Sequence, residues 1–590
     1  MKAAFASSFK VAVGPGLALL LGLASFFALA VGANGASSGT RAALAGTLPN
    51  GVAAGDVTQT AAILWTRGAT AGNVLFEYST VPATTGVLTA TATVTDLMQP
   101  VKVALTGLSP GTRYVYTATD AGGASAAGRF RTAAQAGIRS GLRFGVSGDS
   151  GGHLAPHPAI ANADERDLDF FIQLGDTIYA DVPSAAVPLT QATSLEEFSL
   201  KHNEIYSAHL GLNTWADLRA STSILAMIDD HEVTNDFAGG ADASTDSRFA
   251  ETSGFINEAQ LYRNGLQTFQ AYMPVRDEYY GNTGDPRTAN KRKLYRFNTY
   301  GGDAALFLLD TRSFRDEPLP EPASLLELPA FLANSLNDTS RTFLGAQQLA
   351  DLKADLLQAQ ASGVTWKFIV LSGPIQNFGV AGAADRYEGY AAERTDLLRF
   401  IRENGIDNVV FIAASLHGTI VNNLTYQETY PGTQISTGAF EVIAGPVAIY
   451  PPFGPAVATL AEALGLITPT EKADYDSRSR AGKDEFIRQL LDDEVLAPLG
   501  YDTTGLQGSK IDATLLQGGY VSVHAYGWTE FEIGQSSQVL TVTTYGIDIY
   551  SENDLANNPG DIITRTPAIV SQFSVTPKPK TIYLPLAVKN

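Results

Sequence analysis

Residues 169–181 read DFFIQLGDTIYAD, and this stretch joins an apolar run to a polar turn. A short continuous apolar run is typical of a strand that is buried on both faces of a sheet. The Gly175-Asp176 pair then lets the backbone turn sharply and places a carboxylate at the tip of the strand. Tyr179 and Asp181 follow directly. A single Gly-Asp pair usually marks only a turn, so the neighbouring strands decide what this carboxylate does.

Three further apolar runs end in polar side chains in the same way. They are RFGVSGD (143–149), SILAMIDD (223–230), which His231 follows, and NVVFIAAS (408–415), which stands just before His417. Helical stretches separate the runs, and this alternation predicts an α/β layered domain. Ligands of such domains collect where the carboxyl ends of strands meet loops, so the four polar ends are predicted to converge.

Each polar end has a plain structural explanation when it is taken alone. Asp149 and Asp176 suit turns, the stretch DDHE (229–232) suits the capped start of a solvated helix, and His417 suits a hydrogen-bonded structural histidine. Their joint occurrence at four strand ends favours a functional site. We therefore predict one shared site rather than four unrelated turns.

Carboxylate, phenol and imidazole side chains together suit hard or borderline cations such as iron, manganese, calcium or zinc. One shared carboxylate can hold two such cations about 3.5–4 Å apart. Such a pair lowers the pKa of a bound water molecule and neutralises the oxygens of a phosphoryl group during transfer. The set therefore indicates a hydrolase of anionic esters, for which no serine or cysteine nucleophile is needed.

The composition of the 590-residue chain fits two or three packed domains, since 45 % of its residues are hydrophobic. Lys and Arg number 40 against 60 Asp and Glu, which gives a formal charge of −20. A chain this acidic and without a basic stripe is not expected to bind nucleic acid. It contains no cysteine, which excludes disulfides, thiolate nucleophiles and thiolate zinc sites.

The N-terminus has the pattern of an export signal, which we predict over residues 1–36. Lys2 and Lys10 precede an apolar run over 11–32, and small residues follow it. Because this run is longer than the usual apolar region of about 7–15 residues, an uncleaved N-terminal anchor is the alternative. No later segment has the length and apolar character of a membrane span. We expect an exported protein that is extracellular, at the cell surface or periplasmic.

Residues 44–135 are predicted to form a fibronectin-like or immunoglobulin-like β-sandwich, because short runs there alternate between apolar and polar residues. A turn precedes a strand that carries Tyr114 and Tyr116, which suits a tyrosine corner. We expect Trp65 to pack in the core of this sandwich. A sugar-binding face is the alternative role for these aromatic residues, and core packing is favoured.

The layered domain is predicted over residues 140–550, with a largely helical insertion at 453–515. Strands return after the insertion, and His524 within them is interpreted as a structural histidine. A segment rich in Pro and Lys comes later, and residues 551–590 are interpreted as a C-terminal linker and tail to which we assign no role.

The polar strand ends resemble the motifs of the binuclear metallophosphoesterase superfamily. That superfamily carries GDxG, GDxxY in its Tyr-bearing branches, a carboxamide or carboxylate before His-Glu, and a final xxxH. Six blocks occur in the order found in PhoD-like alkaline phosphatases and phosphodiesterases. The blocks are GVAAGDVTQTAAILWTR (51–67), LGDTIYAD (174–181), IDDHEVTND (228–236), LFLLDTRSFRD (306–316), FLGAQQLADLKADL (343–356) and NGIDNVVFIAASLHG (404–418).

This resemblance implies a fibronectin-like domain ahead of a metallophosphatase domain of two sheets flanked by helices. Carried over by position, Asp149, Tyr179 and His417 would hold one metal ion. Asp176 would bridge to a second ion, which Asp230 would hold. The implied pair is Fe³⁺ with Ca²⁺, and Mn²⁺ or Zn²⁺ are the alternatives.

The resemblance also gives a role to His231, beside the leaving-group oxygen. It would be a general acid or electrostatic stabiliser there, because an imidazolium can donate a proton near neutral pH. A capping residue or a support for the metal ligands is the alternative. The implied substrate is a small phosphomonoester or phosphodiester.

The chain departs from the family pattern at several places. Ser415 stands where members commonly carry the Asp of Gly-Asp-x-His, so we expect weaker binding of the second metal ion. Asp149 stands where many members carry Cys, and that exchange keeps a hard ligand. The N-terminus lacks the Arg pair of a twin-arginine signal. The block LSGPIQNF lacks the histidine of other superfamily branches. The candidate oxygen donors in it are Ser372, Gln376 and Asn377, with a plain loop as the alternative.

Two functional hypotheses from different classes follow. The first is an exported, metal-dependent phosphoester hydrolase that uses a metal-activated water to release phosphate from organic esters. The second is a catalytically weakened or silent cell-surface protein that keeps the metallophosphatase fold, which Ser415 and the fibronectin-like module suggest. The enzyme is favoured because most of the metal set is intact.

Overall fold

The computed structural model describes residues 47–82, 86–324, 326–379 and 382–579. The predicted export signal at 1–36 and the residues from 580 onward lie outside these ranges. Within them, no helix combines the length and the apolar character that crossing a lipid bilayer requires.

The N-terminal part of the chain forms two facing layers of short strands. The strands are β1 (Val52–Gly55), β2 (Ala61–Thr66), β3 (Gly72–Thr80), β4 (Leu88–Val94), β5 (Val101–Thr106), β6 (Arg113–Thr119) and β7 (Ser125–Arg131). One layer is an antiparallel sheet in the order β4, β3, β6, β7. In the other layer β2 pairs antiparallel with both β1 and β5. Alternate apolar side chains of both layers meet in one core, which confirms the predicted β-sandwich.

Tyr114 makes the predicted tyrosine corner. Its hydroxyl accepts a hydrogen bond from the backbone N–H of Ser109, 2.9 Å away and five residues upstream. Its ring stacks on Phe130 with the centroids 5.2 Å apart, and Tyr116 is buried in the same core. The turn before β6 is thus tied to the strand that follows it.

Replacing Tyr114 by Phe is expected to lower the free energy of unfolding by about 1 kcal/mol, because the backbone N–H of Ser109 loses its partner. Urea unfolding of the full chain measures the change, with Tyr78→Phe on the neighbouring strand β3 as the matched control. An unfolding midpoint shared by both variants and the wild type would show that the corner does not stabilise the sandwich.

Two larger sheets follow the sandwich. Their strands are β8 (Leu142–Ser150), β9 (Phe170–Gln173), β10 (Ser223–Ala226), β11 (Arg296–Tyr300), β12 (Ala304–Leu308), β13 (Trp366–Val370), β14 (Val409–Ala413), β15 (Thr419–Tyr426), β16 (Ile435–Ile443), β17 (Pro446–Ala448), β18 (Ala513–Gly518), β19 (Val521–Ser522), β20 (Ala525–Ile533), β21 (Leu540–Asp548) and β22 (Ala568–Val575). The first sheet has the order β18, β22, β21, β20, β8, β9, β10, β1, β2, β5, and β17 pairs with β8 beside this path. The second sheet has the order β11, β12, β13, β14, β16, β15, β19.

The two large sheets pack face to face, and helices cover their outer faces. The rings of Phe144, Phe170, Phe368 and Phe531 meet between the sheets. The helices are α1 (Leu195–Tyr206), α2 (Thr214–Ser221), α3 (Gln260–Tyr272), α4 (Leu328–Asn337), α5 (Ala346–Ala361), α6 (Ala391–Glu403), α7 (Phe453–Ala463), α8 (Pro469–Ser477), α9 (Arg480–Leu491), α10 (Glu552–Asn557) and α11 (Pro559–Ile563). Helices α1 to α3 pack on the first sheet, and α5 and α6 pack on the second. The predicted architecture of two sheets flanked by helices is confirmed.

Trp65 is buried, but not in the core of the sandwich as predicted. Because side chains alternate along β2, Leu64 faces the sandwich core while Trp65 faces the opposite side. The indole Nε1–H donates to the carbonyl of Ala271, 2.8 Å away in α3, and the Arg219 guanidinium lies 4.2 Å from the ring centroid. Strand β1 also runs parallel to β10. The sandwich is therefore fused to the first large sheet.

The C-terminal region differs from the predicted linker. Strand β22 lies between β18 and β21 and pairs antiparallel with both. Phe573 and Val575 are buried between the two large sheets, so the layered domain reaches Val575 rather than residue 550. Five of the eight residues of AIVSQFSV (568–575) are apolar, and the segment pairs with strands that are distant in sequence.

Candidate metal centre

The predicted strand ends meet at one edge of the two large sheets. Strands β8, β9 and β10 are parallel neighbours in the first sheet, so their carboxyl ends point the same way. The backbone N–H of Asp149 donates to the carbonyl of Gly175, 3.3 Å away, which joins the first two turns. Strand β14 ends opposite them in the second sheet, since a Cβ built on Gly148 would lie 2.9 Å from the Cβ of Ala414.

Four non-glycine residues at this edge have positive φ angles. The values are 58° for Asp149, 48° for Asp176, 62° for Ser415 and 60° for His417. L-residues rarely adopt this left-handed region, and such strained positions cluster at functional sites. The turns that aim these side chains are therefore held by their surroundings rather than by local preference.

Asp149, Asp176 and His417 form a first group, in which one candidate ligand atom of each residue lies within 4.8 Å of the others. The Nε2 of His417 is 3.7 Å from Oδ1 of Asp149. The hydroxyl of Tyr179 points into the same group, 3.3 Å from Oδ2 of Asp176 and 3.4 Å from Nε2 of His417. The four side chains can surround a single cation.

Asp176, Asp230 and His231 form a second group of the same kind, also within 4.8 Å. Asp176 thus belongs to both groups. Backbone donors orient Asp230, because its Oδ1 accepts from the N–H of His231 at 3.1 Å and its Oδ2 from that of Asp236 at 2.6 Å. All six predicted site residues are therefore brought together, with one carboxylate common to two clusters.

The electrostatics of the cluster fit bound cations. Within the described residues, neither carboxylate oxygen of buried Asp149 has a hydrogen-bond partner. Burial, together with nearby Asp229 and Asp230, raises the pKa of Asp149 well above its ordinary value, and burial likewise raises the pKa of Asp176. Carboxylates crowded in this way favour their ionised forms only when positive charge lies among them. The donor set therefore suits metal ions.

His417 and Tyr179 have protonation states that match this interpretation. Burial and then the charge of His231 lower the pKa of His417 to about 4, so the imidazole is neutral and keeps a lone pair for a metal. Burial and then the charge of Asp176 hold the pKa of the Tyr179 phenol well above its ordinary value. Phenolate would form there only beside a strongly charged cation such as ferric iron.

Glu232 holds two of the turns that carry the candidate ligands, and its sequence position did not predict this role. Its carboxylate is buried and accepts from the backbone N–H of Thr177 at 2.6 Å and from that of Asp229 at 2.9 Å. The Thr177 hydroxyl adds a third bond of 2.7 Å. Glu232 therefore fixes the turn that carries Asp176 to the turn that carries Asp230.

Arg312 is a second supporting residue without a predicted role. Its guanidinium is buried, lies 2.6 Å from Oδ1 of Asp229 and makes two bonds of 2.7 and 2.8 Å to Asp385. Its Nη2, which is one of the two nitrogens that bond Asp385, is also 3.6 Å from Oδ2 of Asp230. Although burial opposes ionisation, the charge of Arg312 keeps the pKa of Asp230 below its ordinary range. The only sequence signal was its place in the block 306–316.

The other candidate oxygen donors make contacts of their own. Ser372 donates to Oδ1 of Asp229 at 2.7 Å, so it contacts a neighbour of the metal ligands. The backbone N–H of Gln376 donates to Glu441, 3.1 Å away, and the amide of Asn377 donates to the hydroxyl of Tyr501. Among the described residues, the side-chain oxygens of Gln376 and Asn377 are buried without a hydrogen-bond partner. Both therefore stay candidate oxygen donors.

The helices α7 to α9, which lie in the predicted insertion, begin beside the site. The backbone N–H of Phe453, at the start of α7, donates to the carbonyl of His417 at 2.9 Å. His524 lies behind these helices and is buried, with Nδ1 2.7 Å from Asp484 and Nε2 2.5 Å from the hydroxyl of Tyr475. It belongs to neither group, in line with its interpretation as structural.

The chain is similar to known proteins in sequence and in fold. The model of the PhoD-like phosphatase family matches residues 147–482, and the model of the PhoD-like phosphatase N-terminal domain matches 34–134. The chain is 26 % identical over 298 residues to "Alkaline phosphatase D" of Bacillus subtilis (strain 168), covering 46 % of each protein, so it spans about half the length of that curated relative. A solved structure described as "Structure of PhoD" superposes with a TM-score of 0.64 at 19 % identity, over 92 % of this chain and 94 % of that one. Because the first model covers more than half of the residues, the chain belongs to the PhoD-like phosphatase family.

Proposed function

We propose that the protein is an exported, metal-dependent hydrolase of small phosphomonoesters or phosphodiesters. The observation that carries the proposal is the pair of ligand groups that share Asp176 at the carboxyl edge of both sheets. Family membership supports the reaction class, and the acidic, cysteine-free chain supports oxygen and imidazole ligands.

The residues assigned to the metal ions follow the two groups. Asp149, Tyr179 and His417 would hold Fe³⁺, Asp230 would hold Ca²⁺ and Asp176 would bridge, with Mn²⁺ or Zn²⁺ as alternative occupants. When bound, such a pair supplies Lewis-acid activation of water and neutralises the charge of phosphoryl oxygens.

His231 is assigned as the proton donor to the leaving group. Although burial disfavours the imidazolium, the carboxylates of Asp181, Asp230 and Asp176 hold the pKa of His231 well above its ordinary value. The ring lies 4.3 Å from that of Tyr179, centroid to centroid, which limits its rotation. A held, charged imidazole at this place suits protonation of an ester oxygen.

The proposal also gives a role to each part of the chain. Residues 1–36 act as the export signal, 44–135 as the fibronectin-like module, and the hydrolase domain begins near residue 140. The insertion at 453–515 borders the site through Phe453. Detection of the mature protein outside the cytoplasm, with its N-terminus after residue 36, tests the export signal. Retention in the cytoplasm would contradict it.

Metal removal tests the proposed reaction. Protein stripped with a chelator is expected to lose hydrolysis of p-nitrophenyl phosphate and of bis(p-nitrophenyl) phosphate, and to regain it when iron and calcium are restored. Elemental analysis of the same samples measures the bound metals. Undiminished turnover in protein that contains no metal would contradict the proposal.

Substitutions at Ser415 test whether the protein is an active enzyme or a silent protein with the same fold, because a hydroxyl stands here in place of the usual carboxylate. Ser415→Asp is expected to tighten calcium binding by about tenfold, because added ligand charge raises affinity for this cation. Calorimetric titration measures it, with Ser415→Ala as the matched control. Stoichiometric metal without turnover in the wild type, and turnover gained only in Ser415→Asp, would favour the silent cell-surface protein.

A further inference from the structure

Asp181 ends the motif LGDTIYAD and is neither a proposed metal ligand nor the proposed proton donor. We infer that Asp181 is a positioning residue, which holds His231 so that one chosen ring nitrogen faces the leaving-group oxygen of the ester. This inference rests on the proposed function, in which His231 is the proton donor.

The contact between the two side chains is short and sheltered. Nδ1 of His231 lies 2.6 Å from Oδ1 of Asp181, and the two side chains are only 15 % and 12 % exposed. The second oxygen of Asp181 accepts from the backbone N–H of Asn235 at 2.7 Å. Because both carboxylate oxygens have donors, the carboxylate cannot turn away from the ring.

The backbone aligns the same two segments. The N–H of Ala180 donates to the carbonyl of His231 at 2.9 Å, so the turn after Tyr179 runs beside the turn after Asp230. The imidazole is thus held at its edge by Asp181 and on its face by Tyr179. With Nδ1–H donated to Asp181, Nε2 is the ring nitrogen left to face a substrate.

The proton balance of the step is simple. As water adds to phosphorus and the ester P–O bond breaks, the proton on Nε2 of His231 passes to the departing oxygen and an alcohol leaves. His231 then regains a proton from solvent. Protonation matters most when the leaving oxygen is strongly basic, and a misdirected ring loses this contribution first.

The contact between Asp181 and His231 also fits a second explanation, and one experiment distinguishes the two. Carboxylates behind a histidine also stabilise metal binding when that histidine is a ligand, and His231 lies in the second ligand group. In that case loss of Asp181 would release metal. In the case we infer, metal stays and only the transfer of the proton suffers.

The test compares Asp181→Asn with the wild type on two esters, using holoenzyme of known metal content. For phenyl phosphate, whose leaving group is strongly basic, kcat is expected to fall by about 10²-fold, within the usual range for a general acid. For p-nitrophenyl phosphate, kcat is expected to fall less than about fivefold. Asp181→Glu, which restores a carboxylate, is expected to recover part of the loss, and Asp338→Asn at the exposed end of α4 is the matched control.

Each other outcome overturns the inference. An equal fall for both esters would make Asp181 a general structural residue, and loss of bound metal would make it a support for a ligand. If Asp181→Asn fails to fold, the ratio of the two kcat values in Asp181→Glu decides, and an unchanged ratio counts against the inference. If the wild type hydrolyses neither ester, the proposed function itself is wrong. If the wild type is active but Asp181→Asn slows both esters equally, only the role of Asp181 is wrong.

Discussion

Asp176→Ala is expected to lower kcat/KM for p-nitrophenyl phosphate by about 10³-fold or more, because metal ions contribute several kcal/mol to charge stabilisation in such reactions. The reason is its position: Asp176 is the carboxylate that belongs to both ligand groups, while each other residue belongs to one. Its removal therefore affects both metal positions at once. Steady-state kinetics and elemental analysis of the purified variant measure the two effects.

The matched control for this variant is Asp561→Asn, at an exposed position in α11. It is expected to retain wild-type turnover and metal content, since it lies in a short surface helix away from both groups. Unchanged hydrolysis in Asp176→Ala, with metal still bound, would show that neither metal binding nor activity needs the shared carboxylate. A loss of activity in both variants would indicate a general effect of substitution.

Arg312→Met is expected to lower the free energy of unfolding by about 3–5 kcal/mol, the usual cost of breaking a buried ion pair from one side. The guanidinium contacts Asp229 and Asp385 directly and lies near Asp230. Its loss would leave buried Asp229 without its ion-pair partner, whereas Asp385 would keep its pair with Arg315. Urea unfolding of the metal-stripped protein measures the change without the contribution of bound ions.

Arg480→Gln is the control for that measurement. Its ion pair with Asp548 is largely exposed, and exposed pairs contribute about 0–1 kcal/mol. If Arg312→Met unfolds at the same urea concentration as Arg480→Gln, Arg312 does not stabilise the strand ends, and the role given to it above is wrong.

The sequence was sufficient to predict the convergence of the candidate ligands. Continuous apolar runs predict strands buried on both faces, and parallel strands bring their carboxyl ends to one edge. Asp149, Asp176 and Asp230 each follow such a run within a few residues, and the structure places them together with His417. The position of each residue after an apolar run was enough here, because parallel strands of one sheet end at the same edge.

The supporting residues could not be predicted in this way. Arg312 comes from a loop of the second sheet and meets Asp229 across 83 positions of sequence. The sequence suits Glu232 as a carboxylate at a helix start, but in the structure it accepts four hydrogen bonds from Asp176, Thr177 and Asp229. Such contacts depend on how separate strands pack, and no local pattern records that.

Trp65 and β22 show the same limit of local patterns. Alternation along β2 predicts that Trp65 is buried but leaves open which side of the strand it faces, because both faces of β2 are covered. The segment 568–575 has enough apolar residues for a strand, but its place in the sheet and its register are set by β18 and β21. In both cases a partner that is distant in sequence decides the outcome.

In the proposed centre, side chains from four strand ends hold two metal ions through one shared carboxylate. Anomalous diffraction at the iron edge, from crystals of protein loaded with iron and calcium, tests it most directly. We expect an iron peak among Asp149, Tyr179 and His417 and a second ion about 3.5–4 Å away, with Asp176 between them. If Asp149, Asp176 and His417 surround only solvent in such crystals, the proposed metal centre is wrong.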